Sequence, residues 1–373
     1  VIAERLDIVL LGLSITSSWG NGHATTYRAL VRALHERGHR VLFLERDVPW
    51  YAANRDLPRP PYGGTELYGG IPELRERYGA AIRGADLVVL GSYVPDGVAV
   101  GGLVHELARG TTAFYDIDTP VTLAKLARGE CDYLAPELVR GFDLYLSFTG
   151  GPTLARIERD LGAPSARALY CSADPETHRP ERREPRWDLG YVGTYSADRQ
   201  PALERLLVAP ARLRPALRFA VAGPQYPAQL AWPENVERIE HLAPAEHAAF
   251  YAAQRFTLNV TRADMVRAGF SPSVRLFEAA ACATPVVSDP WPGLETIFVP
   301  GRELLLARTT EEALSILEEL PEEERRAIGG RARARVLAEH TPAHRARALE
   351  GYVREARERR VRRERGKAFI QLS

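Results

Sequence analysis

Asp7-Ile8-Val9-Leu10-Leu11-Gly12-Leu13 is the stretch that decides the fold class. This apolar run is far shorter than a membrane span and shows no helical period, so it reads as a buried strand. A loop containing Ser and Gly follows over residues 14–22. Across residues 23–37 the apolar side chains Ala29, Leu30, Ala33 and Leu34 recur at helical spacing, and Gly38 suits the C-cap that ends the helix. Val41-Leu42-Phe43-Leu44 is the next strand. Strand, helix, strand is the βαβ unit from which parallel sheets are built.

The alternation continues through the chain. Further strands are expected near residues 86–91, 111–116, 142–148 and 166–171, and residues 58–70, rich in Pro, Gly and Tyr, read as a surface loop. Residues 172–187 are polar, carry Pro175, Pro180 and Pro185, and show no apolar periodicity, which places a domain boundary there. The series then restarts, with strands at 189–193, 217–222, 236–239, 256–260 and 284–288 and helices at 198–208, 244–253, 274–281, 311–320 and 322–339. A last helix dense in Arg and Glu runs from Ala343 to about Arg360, followed by a frayed tail over 366–373. The expected organisation is a first Rossmann-like α/β domain over 1–172, a second over 173–340, and a terminal segment over 341–373.

Composition excludes several function classes. With 373 residues, 45% hydrophobic and 26% charged, the chain has the balance of a globular protein with two cores. The 49 Lys and Arg nearly cancel the 48 Asp and Glu, so no global field draws in nucleic acid or a membrane surface. Cys131, Cys171 and Cys282 are odd in number and far apart, which argues against a disulfide framework or a structural zinc. No signal peptide or membrane span is legible, and a cytoplasmic, bacterial setting is expected. The chain begins at Val1, consistent with trimming or a non-standard start codon.

In open parallel sheets ligands bind beyond the carboxyl ends of the strands. Four such loops stand out. In Ser17-Ser18-Trp19-Gly20-Asn21-Gly22-His23, Gly20 and Gly22 permit close backbone approach and the next helix offers free N–H groups to an anion, but the spacing does not meet the dinucleotide fingerprint. The loop is either a structural turn or part of an anion site, and His23 either a helix-start residue or a group acting on an acceptor. In Asp116-Ile117-Asp118-Thr119-Pro120, Asp118 or Thr119 suits an N-cap with Pro120 at the first helical position, which leaves the other carboxylate, Asp116 or Asp118, to orient or deprotonate a hydroxyl. Gly193 and Thr194 stand where the chain leaves a strand, small enough for backbone N–H groups to face a diphosphate, and Arg199 follows within one short loop. Finally, a helix begins near Ser273 and Val274; Arg275 adds a positive charge to its N-terminus, and Glu278 lies one turn on, inside an apolar context that an ordinary amphipathic helix would not give it.

These residues carry a resemblance. Arg275-Leu276-Phe277-Glu278-Ala279-Ala280-Ala281-Cys282, with Phe298-Val299-Pro300-Gly301-Arg302-Glu303, resembles the sugar-nucleotide signature of family 4, GT-B-fold glycosyltransferases, and within them the CgeB-like spore maturation proteins. Tyr170-Cys171-Ser172-Ala173-Asp174-Pro175 is similar to their interdomain segment, and Tyr191-Val192-Gly193-Thr194 with Arg199 to their phosphate loop. The resemblance implies a GT-B fold, two Rossmann-like domains whose parallel sheets face a cleft, with the last helix crossing back to the first domain. It implies that Glu278 binds ribose, that Ser273, Val274 and Arg275 with Gly193, Thr194 and Arg199 hold the diphosphate, and that Leu242 offers backbone hydrogen bonds to the base. The donor would be a UDP-, GDP- or dTDP-sugar, and the acceptor a hydroxyl or amine of a small molecule, glycan or protein. Transfer would retain the anomeric configuration, need no cofactor and no metal, and use His23, Asp116 or Asp118 near the acceptor. The D-x-D spacing of Asp116 and Asp118 is similar to the metal motif of single-domain glycosyltransferases, but the nucleotide features lie in the other half of the chain. Two departures stand out: Phe270 replaces a glutamate that touches the sugar, and Ala283 replaces a glycine. The alternatives are a nucleotide-sugar epimerase of the same fold and a non-catalytic partner subunit. Oligomeric state is left open.

Overall fold

The computed structural model describes residues 4–20 and 22–371, with side chains as far as residue 364. The chain divides into two compact units, Val1–Tyr170 with Pro342–Ser373 and Cys171–Thr341.

The first unit is a seven-stranded parallel sheet in the order β3-β2-β1-β4-β5-β6-β7. Its strands are β1 (Asp7–Gly12), β2 (Arg40–Arg46), β3 (Gly64–Tyr68), β4 (Leu87–Gly91), β5 (Thr111–Asp116), β6 (Leu144–Ser147) and β7 (Ala166–Ala168). Ile8 of β1 stands beside Val41 on one side and Leu87 on the other. The unbroken apolar character of β1 has a direct cause: both faces are covered. Val9 and Leu11 join Leu74, Tyr78 and Ile82 of the helix Ile71–Gly84 and Val100, Leu103 and Val104 of the helix Gly97–Leu107. Ile8 and Leu10 point the other way, into a core with Leu30, Val31 and Leu34 of the helix Gly22–Glu36. Gly38, at φ 89°, takes the left-handed turn after that helix.

The helix Pro342–Gln371 completes this second core. Ala346, Leu349, Val353 and Ala356 fall on one stripe and are almost wholly buried. Glu350 beside them receives Arg37 at 2.5 Å and the His39 ring at 2.8 Å, and Arg357 reaches Asp86 at 2.8 Å. The expectation of a frayed tail from residue 366 is corrected: the backbone is helical through Gln371, and Leu372 and Ser373 lie outside the described residues. Residues 58–70 also differ from expectation. They contain β3, an edge strand paired to β2 with only Tyr68 fully buried.

The second unit is a six-stranded parallel sheet in the order β10-β9-β8-β11-β12-β13. The strands are β8 (Trp187–Val192), β9 (Phe219–Ala222), β10 (Val236–Ile239), β11 (Gln254–Asn259), β12 (Val286–Ser288) and β13 (Leu305–Leu306). The helix Val274–Ala281 packs closely on the helix Glu322–Glu339, because Gly329 has no side chain: a Cβ there would lie 2.2 Å from the Ala283 carbonyl oxygen. Each sheet therefore changes winding direction once beside its first strand, between β1 and β4 and between β8 and β11. Those switch points are where an open parallel sheet leaves a crevice for a ligand.

Candidate functional site

In the second unit, the loops after β8 and β11 and the start of the helix Val274–Ala281 come together at the switch point. Asn259, the last residue of β11, is fully buried and organises them. Its Oδ1 accepts from Ser273 Oγ at 2.7 Å and from Arg275 Nη1 at 3.0 Å, while its Nδ2 donates to Thr261 and Ser288. Ser273 thus spends its hydroxyl on Asn259 rather than on its own helix, and no side chain caps the helix. The first N–H groups of the helix are left for an anion.

Arg275 is buried and its guanidinium lies over the Tyr191 ring at 4.7 Å. Its Nε donates to the Val192 carbonyl at 2.6 Å, so part of this cation fixes the loop after β8. Gly193 is where that matters. A Cβ there would meet Tyr191 Oη at 2.6 Å and Arg275 Nη2 at 2.9 Å. The expectation that the Gly193 N–H faces a diphosphate is corrected, since that N–H donates to the Ala222 carbonyl at 2.8 Å. What Gly193 supplies is room for the guanidinium. Thr194 is exposed, and its carbonyl accepts from Arg199 Nη2 at 2.6 Å. Arg199 Nε is buried with no hydrogen-bond partner among the described residues. Burial, and the nearby charges of Arg275 and Arg262, hold the Arg199 pKa below its ordinary value. Three arginines crowding one place oppose one another, and an anion between them would relieve that repulsion.

Glu278 projects from the same helix one turn on and is almost fully buried. Tyr251 Oη donates to it at 3.0 Å, and the rings of His178 and His247 each approach a carboxylate oxygen at 3.6 Å. Burial pushes the carboxyl up, but the two imidazoles and Tyr251 outweigh it and hold it at about 2. His247 is raised in turn: burial lowers it, and the contacts with Glu278 and the Leu242 carbonyl more than compensate. The ligand atoms of His178, His247 and Glu278 lie within 4.8 Å of one another, so this group is also able to hold a divalent cation. Sequence reasoning missed His178, His247, Tyr251 and Asn259, which come from three separate segments: the loop before β8, the helix His247–Ala252 and the end of β11.

The two departures noted in the sequence are both backbone features. Phe270 has φ 50° and Ala283 has φ 58°, left-handed conformations that favour glycine. Phe270 is braced, its N–H donating to the Pro292 carbonyl at 2.6 Å and its ring filling the space where Gly293 lacks a side chain.

In the first unit the loops after β1, β4 and β5 meet. Gly20, at φ 58°, leads into Gly22, which opens the helix carrying His23. The His23 ring packs edge-on against Tyr93 at 5.4 Å, and burial lowers its pKa to about 4, so the imidazole is neutral near pH 7. Tyr93 Oη donates to Asp118 at 3.2 Å. Asp118 is half-buried and precedes the helix Thr119–Arg128 without capping it by its side chain. Asp116 is different. It is wholly buried and accepts from Tyr145 Oη at 2.5 Å, Thr122 Oγ1 at 2.7 Å and the Asp118 N–H at 3.2 Å. The expectation that Asp116 touches an acceptor is corrected: its oxygens are occupied, and it positions the turn that carries Asp118.

Residues 199–351 match a family model described as glycosyl transferase-like. No curated protein matches the sequence closely enough to count as a relative. Among solved structures, sucrose-phosphate synthase from Thermosynechococcus elongatus is similar at 16% identity and TM-score 0.68, with 94% of this chain and 98% of that one covered. The Anabaena protein HepE in complex with UDP and glucose is similar at 13% identity and TM-score 0.70, covering 94% of this chain and 100% of that one. An alpha-glucosyltransferase in complex with UDP is similar at 10% identity and TM-score 0.67, again covering 94% and 100%. The chain thus has the two-domain fold of these GT-B structures, and its residues 199–351 carry the glycosyl transferase-like match.

Proposed function

We propose that the protein moves a sugar from a nucleotide-sugar donor held by its second unit to a hydroxyl or amine acceptor held by its first, with retention and without a metal. The observation that carries this reading is the pairing at one helix start: the arginines Arg199 and Arg275 with open N–H groups at Ser273 and Val274, and one turn later the ionised, buried Glu278. Cations and helix dipole suit a diphosphate, and a carboxylate suits the paired hydroxyls of a ribose. UDP in the complexes of HepE and the alpha-glucosyltransferase makes UDP-sugars the first donors to try, before GDP- and dTDP-sugars. Kinship to the CgeB-like group and a cytoplasmic, bacterial setting belong to the same proposal.

As the anomeric C–O bond breaks, its electron pair leaves with the nucleoside diphosphate. Arg199, Arg275 and the helix N-terminus meet that growing charge, which is the task a metal performs elsewhere. The acceptor oxygen forms the new bond to the anomeric carbon, and its proton passes to Asp118 or to the neutral His23. Retention is supported by the resemblance to family 4 and is read from the anomeric proton coupling of the product.

Glu278→Gln tests the donor site. Losing a charged hydrogen-bond acceptor is worth about 1.5–3 kcal/mol, so donor affinity is expected to fall about 10- to 100-fold by calorimetry, with UDP alone weakened alike. Undiminished binding in both Glu278→Gln and Arg275→Ala would refute the assignment. Transfer is expected to be unchanged after extensive chelation.

A further inference from the structure

The proposed function leaves the chemistry of the acceptor open, and one side chain of the first unit speaks to it. Of the 49 basic residues in this chain only two are lysines, Lys125 and Lys367. At almost every position where a cation is needed the chain uses arginine. Lys125 lies in the helix Thr119–Arg128 that Asp118 precedes, and it is half-buried. Its Nζ stands 5.0 Å from the centre of the Tyr93 ring and 5.2 Å from that of Tyr133. Those two rings are themselves packed at 4.5 Å. Among the described residues the ammonium has no ion pair and no hydrogen-bond acceptor.

Ring faces attract a cation but accept little from its three N–H donors. A half-buried ammonium held that way keeps its donors for something that arrives. An arginine would have stacked flat on a ring and spread its charge, whereas lysine presents a compact point charge. Tyr93 marks the same place by its backbone. At φ 64° it is a bulky residue in a left-handed conformation, the kind of local strain that gathers at functional sites. Its hydroxyl holds Asp118 and its ring edge holds His23. One tyrosine therefore joins the unpaired cation to the two groups that would receive a proton.

We propose that Lys125 binds an anionic group, phosphate or carboxylate, on the acceptor, and so selects a hydroxylated anion over a neutral sugar. The inference rests on the proposed function for the word acceptor, but the anion site stands on its own geometry. Tyr93 and Tyr133 hold the lysine stem and set where the charge sits.

The experiment uses the full chain and a panel of hexoses, their 6-phosphates and the corresponding hexuronates. Affinity is measured by calorimetry and by transfer from the bound sugar nucleotide. The wild type is expected to bind at least one anionic class about 10-fold or more tightly than the neutral hexose, in line with a charge-assisted hydrogen bond. Preference for phosphates alone or for uronates alone identifies the anion. Lys125→Met keeps an unbranched stem on the rings and removes the charge. It should erase the preference while leaving the melting temperature, the neutral-hexose affinity and the UDP affinity unchanged. Equal affinities across the panel in the wild type, or a preference that survives Lys125→Met, would overturn the site. Anion preference without any sugar-nucleotide binding would overturn the proposed function and uphold Lys125; sugar-nucleotide binding with no anion preference would do the reverse.

Discussion

Asp116 ends β5 as a carboxylate closed off from solvent, with three hydrogen-bond donors around it. Burial dominates, and its pKa rises from 3.8 to about 6. The folded chain then binds this proton more tightly than the unfolded chain, so stability falls as pH rises between about 4 and 6 and stays lower above that. A rise of this size corresponds to about 3 kcal/mol, an upper figure for a single group. Asp116→Asn keeps the shape and removes the titration, because an amide nitrogen can donate to Tyr145 where the carboxylate accepted. The variant should match the wild type near pH 4 and exceed it by up to about 3 kcal/mol at pH 7.5 in denaturant melts. Parallel pH profiles for the two proteins would contradict this account. The pair Asp116 and Asp118 also shows why residue roles were half legible. A spacing of two suggests one face of a strand, but the strand stops at Asp116 and the helix begins at Thr119, so one carboxylate goes inward and the other stays half-open.

At the scale of elements, legibility follows burial. Central strands such as β1 and β4 are apolar throughout because helices cover both faces, and runs of that kind are visible without a structure. The edge strand β3 alternates between half-buried and exposed, and β13 has only two residues, so neither has a run to read. The helix proposed to hold the donor could be singled out in the sequence because Ser273, Arg275 and Glu278 share one short segment. His178, His247 and Asn259 became neighbours only through folding, and nothing in their local sequence marks them. Gly329 sits behind that helix and is the element-scale test. Its missing Cβ lets the helix Glu322–Glu339 rest on the Ala283 carbonyl, and a Cβ would come within 2.2 Å of that oxygen. Overpacking of this kind costs about 1–3 kcal/mol, more than the helix propensity that alanine adds. Gly329→Ala should therefore lower the melting temperature and weaken UDP binding, since Glu278 and Arg275 ride on the displaced helix. Gly330 has no atom within 4 Å of its would-be Cβ, and Gly330→Ala should instead stabilise by about 0.5–1 kcal/mol. A stabilised Gly329→Ala would show that the close helix contact is dispensable.

Across the whole molecule, the last segment of the chain belongs to the unit that the first segment founds. The family resemblance implies this placement, but the segment's own residues do not show it, because Arg and Glu surround the buried stripe of Ala346, Leu349, Val353 and Ala356. The long side chains have their own partners on the first unit, Glu350 with Arg37 and His39, and Arg357 with Asp86. A helix rich in charge is thus compatible with a buried stripe when its ion pairs flank that stripe. Leu349, 1% exposed, lies in the core with Ile8, Leu30 and Leu34, more than 300 positions away in the chain. Leu349→Ala should cost about 2–4 kcal/mol through lost burial and the cavity left behind. The loss should fall on the first unit, read as faster amide exchange across β1, β2 and β4. The residues assigned to the donor all lie within Cys171–Thr341, so UDP affinity at low temperature should stay at the wild-type value. Equal acceleration of exchange in β8 and β11, or a weakened UDP affinity, would mean that the terminal helix sustains both units rather than the first alone.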